Sequence, residues 1–195
     1  MNYFEKITSS IEDSIFTKQT LFKKETIELI NEIAIKLKKI IENGGKILFC
    51  GNGGSAADSQ HLAAELVVRY RSSFPRPAIP AIALTTDTSI ITAGGNDFGF
   101  NQIFARQVEA LGNMNDALFA ISTSGNSPNI IEAVKQAKQK NMYVVGFLGG
   151  NGGKLSEMCD INFIAPSEVT ARIQETHILV GHILCELIEE YLYSY

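Results

Sequence analysis

Apolar residues recur every three or four positions over residues 3–42, and this period predicts a helical segment at the start of the chain. The stretch Phe16–Leu21 allows a bend but contains no strong helix breaker. The sequence Asn43-Gly44-Gly45 follows, and such a pair of glycines after an asparagine is typical of a helix C-terminus. The periodic positions are Phe4, Ile7, Ile11, Ile15, Leu29, Ile30, Ile33, Leu37 and Ile40.

From Lys46 onward, short apolar runs alternate with small polar loops and helical stretches. Apolar runs without polar alternation are typical of parallel strands that are buried on both faces. The five runs are residues 46–50, 78–84, 117–121, 143–148 and 161–165. Helices are expected near residues 56–70, 103–111, 128–140, 154–158 and 167–191, and residues 94–100 are expected to form a loop. The pattern predicts one α/β domain over residues 1–195, with a core at 46–195 and a helical extension at 1–43.

Composition narrows the possible partners. The chain has 195 residues, of which 17 are basic and 21 acidic, so its net charge of −4 argues against non-specific binding to nucleic acid or to an anionic membrane. No apolar run is long enough to span a membrane, and the first residues lack the layout of a signal peptide. Cys50, Cys159 and Cys185 are odd in number and widely spaced, which favours free thiols in a reducing cytoplasm.

A glycine-rich loop, Gly51–Ala56, follows the first predicted strand and has the form G-x-G-x-x-A. This form resembles a dinucleotide fingerprint, with Asp87 as the candidate ribose-binding acid, although Asp87 lies far beyond the expected spacing of about 20 residues. The alternative is a tight turn in which Ser55 caps the next helix and Asp58 completes a capping box.

The loop Ser122–Ser127, with the sequence STSGNS, is the more informative one. It offers four hydroxyl groups and several backbone N–H groups, and Ser127 followed by Pro128 is a natural start for a helix. A helix N-terminus beside a hydroxyl-lined loop is suited to bind an anion. Since the loop lacks the lysine of an ATP-binding P-loop, we expect a small phosphorylated metabolite as its ligand.

Histidines and carboxylates supply the candidate chemistry. His61 and Glu65 are four residues apart on a predicted helix, so they share one face as two metal ligands, as a base and its partner, or as a surface hydrogen bond. Gln174, His177 and His182 interrupt an otherwise apolar final helix, where buried polar groups need partners.

Four segments together resemble the sugar isomerase (SIS) family and, within it, the phosphoheptose isomerases. They are CGNGGSAADSQHLAAEL at 50–66, GNDFGFNQIF at 95–104, STSGNS at 122–127 and RIQETH at 172–177. The resemblance covers essentially the whole chain. It implies a three-layer, flavodoxin-like fold with a five-stranded parallel sheet, and a homotetramer. It also implies the conversion of sedoheptulose 7-phosphate to D-glycero-D-manno-heptose 7-phosphate through an enediol, the first step of bacterial heptose synthesis.

The same resemblance implies a role for individual residues. Glu65 would be the catalytic base and His182 its acid/base counterpart, whereas His177 would be structural. One zinc ion per subunit would be held by His61, Glu65, Gln174 and His182. The phosphate would be bound by Ser122, Thr123, Ser124 and Ser127. The sugar would contact Asn52, Gly53, Gly54, Glu65, Asn96, Asp97 and Gln174.

Two features of the sequence qualify this assignment. Members of the family carry an acid immediately before Arg172, but Ala171 stands there in this chain, so the acidic role is missing or shifted to Glu168. Gln174 and His182 are eight residues apart, which separates their Cα atoms by about 12 Å on a straight helix. We therefore expect the active site to form where helices of several subunits meet, with the segment 1–43 joining four chains.

Two other functions compete with the isomerase. A non-catalytic SIS scaffold that binds a replication initiator would share the glycine and STSGNS-like loops but would lack counterparts of Glu65 and His182, and both residues are present here. A nucleotide-dependent oxidoreductase would depend only on the G-x-G-x-x-A loop and Asp87.

Overall fold

The computed structural model describes residues 2–193, and its centre is a five-stranded parallel sheet. The strands are β1 (Ile47–Cys50), β2 (Ala81–Ala83), β3 (Ala117–Ser122), β4 (Tyr143–Gly149) and β5 (Ile161–Ala165). Their order across the sheet is β2-β1-β3-β4-β5, and each neighbouring pair is parallel. This is the strand order of the flavodoxin-like fold, in which ligands bind at the carboxyl ends of the strands. The predicted α/β class and all five predicted strands are confirmed.

Seven α-helices surround and extend the sheet within the described residues. They are α1 (Tyr3–Gln19), α2 (Lys24–Glu42), α3 (Gly54–Val67), α4 (Thr88–Phe98), α5 (Ile103–Leu111), α6 (Pro128–Gln139) and α7 (Thr170–Tyr193). A 3-10 turn, Thr20–Phe22, separates α1 from α2 next to the stretch that allowed a bend. Further 3-10 turns lie at Phe100–Gln102 and Lys154–Glu157.

The strands are apolar on both faces because each face is covered by helices. On one face a row of phenylalanine rings packs beneath α2, α3 and α7, with ring centroids 4.4–5.2 Å apart between neighbours. On the other face α5 and α6 pack against Leu48, Leu118 and Val144. The ring row consists of Phe49, Phe119, Phe147 and Phe163. Burial on both sides removes the alternation that a half-exposed strand would show.

The prediction of a loop over residues 94–100 is wrong for most of its length. Asp87 accepts a hydrogen bond from the N–H of Ile90 at 2.9 Å and so starts α4, which continues through the two glycines to Phe98. The helix ends at Gly99, whose φ of +83° favours glycine. Asp87 is therefore a helix cap in this structure.

The extension α1 leaves an apolar stripe in solvent. Ser14 and the backbone of Ser10 are bound to α7, through Glu175 at 2.7 Å and Arg172 at 2.7 Å respectively. The exposed stripe consists of Phe4, Ile7, Ile11, Ile15 and Phe16. A cavity of about 750 Å³ with mostly apolar walls lies between the helices α1, α2 and α7.

Within residues 2–193, no helix has the length and apolar character that crossing a membrane requires.

Candidate active site

Helices α3 and α7 lie side by side and run in the same direction, and most of the candidate chemistry lies along this seam. A β-carbon on Gly181 would be 2.7 Å from Leu62 Cδ2, so the glycine lets the two helices approach closely. Residues later in α3 contact residues later in α7: Gly54 lies against Gln174, and Tyr70, just after α3, is bonded to Glu189. Side chains that are separated by more than 100 residues in the chain therefore meet in pairs along the seam.

His61, Glu65 and His182 form a three-residue cluster in the middle of the seam. The Nε2 atoms of His61 and His182 are 2.7 Å apart, and Nε2 of His61 is 3.4 Å from Oε1 of Glu65. The predicted pair of His61 and Glu65 on one helical face thus gains His182 from α7. The side chain of Glu65 is mostly buried, whereas that of His61 is exposed.

The cluster has the donors that a divalent metal ion requires. One ligand atom from each of the three residues lies within 4.8 Å of the others. Two imidazole nitrogens and one carboxylate oxygen form a typical ligand set for catalytic zinc, which keeps a further position open. Because the two Nε2 atoms face each other at short range, one cation between them would satisfy both lone pairs, so the residues fit a metal ion.

Gln174 does not join this cluster within one chain. Its side chain lies against Gly54 at the start of α3, where a β-carbon would be 2.6 Å from Gln174 Nε2. His61 is seven residues further along α3, about two helical turns away. The structure therefore brings together three of the four expected metal ligands.

The loop Ser122–Ser127 has the geometry of an anion site. The hydroxyl groups of Ser122 and Ser127 are hydrogen-bonded to each other at 2.9 Å, and Ser127 is the N-cap of α6 with Pro128 in the first turn. Ser127 does not cap the helix with its side chain. Pro128 has no N–H and the N–H of Ile130 donates to the carbonyl of Ser127 at 3.1 Å, which leaves the N–H of Asn129 for an anion. Gly125 has a φ of +64° and packs against the backbone of Gly152, which leaves no room for a larger residue.

A cavity of about 350 Å³ opens beside this loop, at the carboxyl ends of β3 and β4. Six of the eight residues that line this cavity are not among the predicted phosphate and sugar ligands: Gly149, Gly150, Asn151, Glu168, Thr170 and Ile173. Glu168, the candidate replacement for the acid missing at Ala171, also lines it. The lining comprises Thr123, Ser124, Gly149, Gly150, Asn151, Glu168, Thr170 and Ile173. The glycine pair Gly149-Gly150 at the end of β4 is the sequence signal that could have identified this wall.

Asn52 links the first loop to the third. Its side-chain amide exchanges two hydrogen bonds with that of Asn129, each 2.8 Å long. Gly53, with a φ of +56°, is the N-cap of α3, and Gly54 is its first residue. The capping box expected of Ser55 and Asp58 is wrong, because α3 begins before Ser55 and has no side-chain cap.

Asn96 and Asp97, two of the predicted sugar ligands, lie on α4. Both are exposed on α4, and the amide of Asn96 donates to Oδ1 of Asp97 at 2.7 Å.

Two further titratable groups have shifted pKa values. Burial raises the pKa of Asp58 to about 6, although the nearby His61 lowers it. Burial lowers the pKa of His177 to about 4, although a hydrogen bond to the carbonyl of Leu148 at 2.8 Å raises it. His177 is thus neutral in the core at neutral pH, as its expected structural role requires.

Comparison with known proteins identifies the family. The SIS domain family matches residues 3–149. The phosphoheptose isomerase of Aneurinibacillus thermoaerophilus is 48% identical over 188 residues, which cover 96% of this chain and 94% of that protein. A phosphoheptose isomerase of Campylobacter jejuni is 58% identical over 154 residues, covering 79% of this chain and 82% of that protein.

Solved structures are similar along almost the whole chain. The phosphoheptose isomerase of Neisseria gonorrhoeae has a TM-score of 0.91 at 44% identity, covering 97% of this chain and 100% of that one. The corresponding enzyme of Francisella tularensis has a TM-score of 0.93 at 44% identity, with the same coverage. Because of this sequence identity and the shared fold, we conclude that the chain belongs to the phosphoheptose isomerase family of SIS-domain proteins.

Proposed function

We propose that this protein is an aldose–ketose isomerase that converts D-sedoheptulose 7-phosphate to D-glycero-D-manno-heptose 7-phosphate. The observation that carries the proposal is the meeting of Glu65 with His61 and His182, on a fold whose relatives are phosphoheptose isomerases. Isomerisation requires a base for a carbon-bound proton and a second group that moves protons between oxygens. A carboxylate and an imidazole within one cluster supply both.

The proton transfers follow from these two groups. Glu65 removes a proton from C1 of the ketose while His182 gives a proton to the carbonyl oxygen at C2, which produces an enediol. His182 then takes the proton of the C1 hydroxyl, and Glu65 returns its proton to C2. The position of Glu65 supports its role, because the carboxylate is mostly shielded from solvent and lies beside both histidines.

Ser122, Thr123, Ser124 and Ser127 would hold the phosphate together with the N-terminus of α6. Support comes from the paired hydroxyl groups of Ser122 and Ser127 and from the adjacent cavity. Asn52, Gly53 and Gly54 would contact the sugar, as would Asn96 and Asp97. Glu168, which lines the same cavity, would accept hydrogen bonds from sugar hydroxyl groups.

Zinc is the metal that we propose for the cluster. His61, Glu65 and His182 would hold it, and Gln174 of a neighbouring chain would complete the set. When bound, zinc supplies a positive charge that stabilises negative charge developing on the substrate oxygens.

A homotetramer is the proposed assembly, with active sites at subunit interfaces and the segment 1–43 joining the chains. The apolar stripe of α1 and the apolar cavity beside it support this assembly, because large exposed apolar patches mark interfaces. Within one chain, Ile173 in the cavity wall and His182 are nine residues apart on α7, or about 13 Å. That span favours a site that a second chain completes. We place the protein in the cytoplasm, where its three free cysteines stay reduced.

The non-catalytic scaffold is the weaker alternative. A scaffold has no need for two histidines and a glutamate within metal-binding distance, and these three residues come from two distant parts of the sequence. The oxidoreductase alternative is also weaker, because Asp87, its candidate ribose-binding acid, caps α4.

Turnover of sedoheptulose 7-phosphate by the purified protein tests the proposal, with the aldose product followed by NMR. We expect turnover, its loss after chelation and dialysis, and its recovery on adding zinc. The His182→Ala variant should lose activity by about 100-fold or more. Lys135→Ala, which removes an exposed ion pair with Glu132 on α6, should retain activity and serves as the control. A wild-type protein that produces no aldose in the presence of zinc would refute the proposal.

A further inference from the structure

A buried ion pair joins the segment after α3 to helix α7, beyond the residues that the proposed chemistry uses. Nε of Arg76 donates to Oε2 of Glu189 at 2.7 Å, and their side chains are only 1% and 0% exposed. Burying two charges is costly, and an apolar pair of similar size often stabilises a fold as well or better. The presence of charges here therefore calls for a reason other than stability.

Arg76 caps the helix that carries His61 and Glu65. Its Nη2 donates to the backbone carbonyl of Glu65 at 2.8 Å, and its Nη1 donates to that of Leu66 at 2.8 Å. The last carbonyl groups of a helix have no partner within the helix, and a cation is favourable at that end. A planar guanidinium group can bind both carbonyls and Glu189 at once, which a lysine ammonium cannot do in the same geometry.

Glu189 links this cap to the other catalytic helix. It lies seven residues after His182 on α7, and its Oε2 also accepts a hydrogen bond from the backbone N–H of Tyr70 at 3.2 Å. The ring of Tyr70 packs 5.9 Å from the ring of His182, between centroids. Burial raises the pKa of Glu189, but hydrogen bonds from Arg76, Arg71 and Tyr70 outweigh it and hold the pKa below its ordinary value.

We propose that Arg76 and Glu189 are positioning residues that hold Glu65 and His182 in register for proton transfer. The inference rests on the proposed function. The pair joins the backbone of Glu65 on α3 to α7 two turns beyond His182, and it places Tyr70 against the His182 ring. A shift of about 1 Å between catalytic groups can slow a reaction about 100-fold, so a rigid connection at this point acts on the rate.

Two variants test the ion pair, so that the test still works if one of them does not fold. Arg76→Lys retains the charge opposite Glu189 but loses the double cap. The double variant Arg76→Met/Glu189→Leu removes both buried charges, and Arg71, which also donates to Glu189, keeps Glu190 as its partner at 2.8 Å. The matched control is Asp116→Asn, since Asp116 is also buried and binds Lys46 at 2.6 Å, but at the amino ends of the strands, away from the site.

We expect both pair variants to lower kcat by about tenfold or more, as displaced catalytic groups do, with KM within about threefold of wild type. The Asp116→Asn control should lower the melting temperature but retain kcat at temperatures well below melting. Wild-type kcat in the folded double variant would overturn the proposal, as would an equal loss of kcat in the control. If the double variant does not fold, Arg76→Lys alone decides, and its full activity would overturn the proposal.

Hydrogen exchange separates this inference from the proposed function, because it needs no turnover. Amide exchange in the last turn of α3 and at Tyr70 should be at least about tenfold faster in Arg76→Lys than in wild type. Unchanged exchange would overturn the role of the pair even in an active isomerase. Faster exchange in a chain that does not isomerise the sugar would support the pair and refute the function.

Discussion

His177 and His182 lie on the same helix, and their surroundings give them different roles. His177 packs against Phe147 and Phe163, and its Nε2 donates a hydrogen bond to the carbonyl of Leu148. Because the ring is buried, it is neutral at neutral pH. His182 faces the seam and meets His61. At the scale of single residues, burial and partner together decide which histidine is available for chemistry.

Stability should depend on the protonation of His177. Its pKa is lowered to about 4 from an ordinary value of 6.5, so between these pH values the unfolded chain binds more protons than the folded one. Its contribution to stability is complete above pH 6.5 and is lost as the pH falls to 4, by up to about 3 kcal/mol. Asp58 acts in the opposite direction, because its raised pKa favours the folded state at low pH.

Denaturant unfolding at several pH values, compared between wild type and His177→Gln, isolates this effect. The glutamine amide can still donate to the carbonyl of Leu148 but does not titrate. We expect the free energy of unfolding to fall less in the variant between pH 6.5 and 4, since Asp58 contributes equally to both proteins. The same pH dependence in both proteins would show that His177 is not the titrating group.

Helices α3 and α7 act as a unit at the scale of secondary structure. The i, i+4 spacing of His61 and Glu65 could be predicted from sequence, because helical geometry alone sets it. Their meeting with His182 depends on contacts across 121 residues, which spacing does not encode. The resemblance to a family implied the three residues together, but it also implied Gln174, which lies two turns away on the seam.

We expect the cluster of His61, Glu65 and His182 to require the close approach of α3 and α7 at Gly181. A valine there would clash with Leu62, whose side chain lies 2.7 Å from where the β-carbon would be. We expect Gly181→Val to cost about 1–3 kcal/mol of stability by overpacking and to lower kcat by about tenfold or more.

Gly94→Ala is the matched control for this substitution. Gly94 lies within α4, and the nearest atoms to a β-carbon there would be 3.9 Å away, on Ile103. The alanine should leave stability unchanged or raise it by up to about 1 kcal/mol. Kinetic assays and thermal melts of both variants provide the check. Full activity in Gly181→Val would show that the helix spacing is not critical.

At the scale of the whole molecule, the apolar stripe of α1 stays exposed, because no other part of the described chain covers it. The alternation of strands and helices could be predicted because buried parallel strands are uniformly apolar. The extent of α4 could not, since its two glycines resemble a loop and only the cap by Asp87 and the turn at Gly99 define it. The surface that another chain would cover could not be predicted either, because the period of apolar residues in a helix does not tell an interface from a core.

The apolar stripe of α1 should be needed for assembly. Charges at Ile7 and Ile11 would be buried in an interface, so we expect the double variant Ile7→Glu/Ile11→Glu to form a smaller species than wild type. Light scattering after size-exclusion chromatography measures this. Lys6→Glu, an exposed polar position on the same helix, is the control and should retain the assembly. A tetramer in the double variant, or a monomeric wild type, would contradict the proposed interface.

The most direct test of the whole account is proton exchange at the substrate carbons in D₂O. If Glu65 is the base and an enediol forms, the aldose product should carry deuterium at C2, and Glu65→Gln should slow both turnover and deuterium uptake by about 100-fold or more. Turnover with complete retention of the C1 hydrogen at C2 would mean that no base in exchange with solvent carries it, as in hydride transfer between the carbons. That result, or wild-type deuterium uptake in Glu65→Gln, would contradict the account.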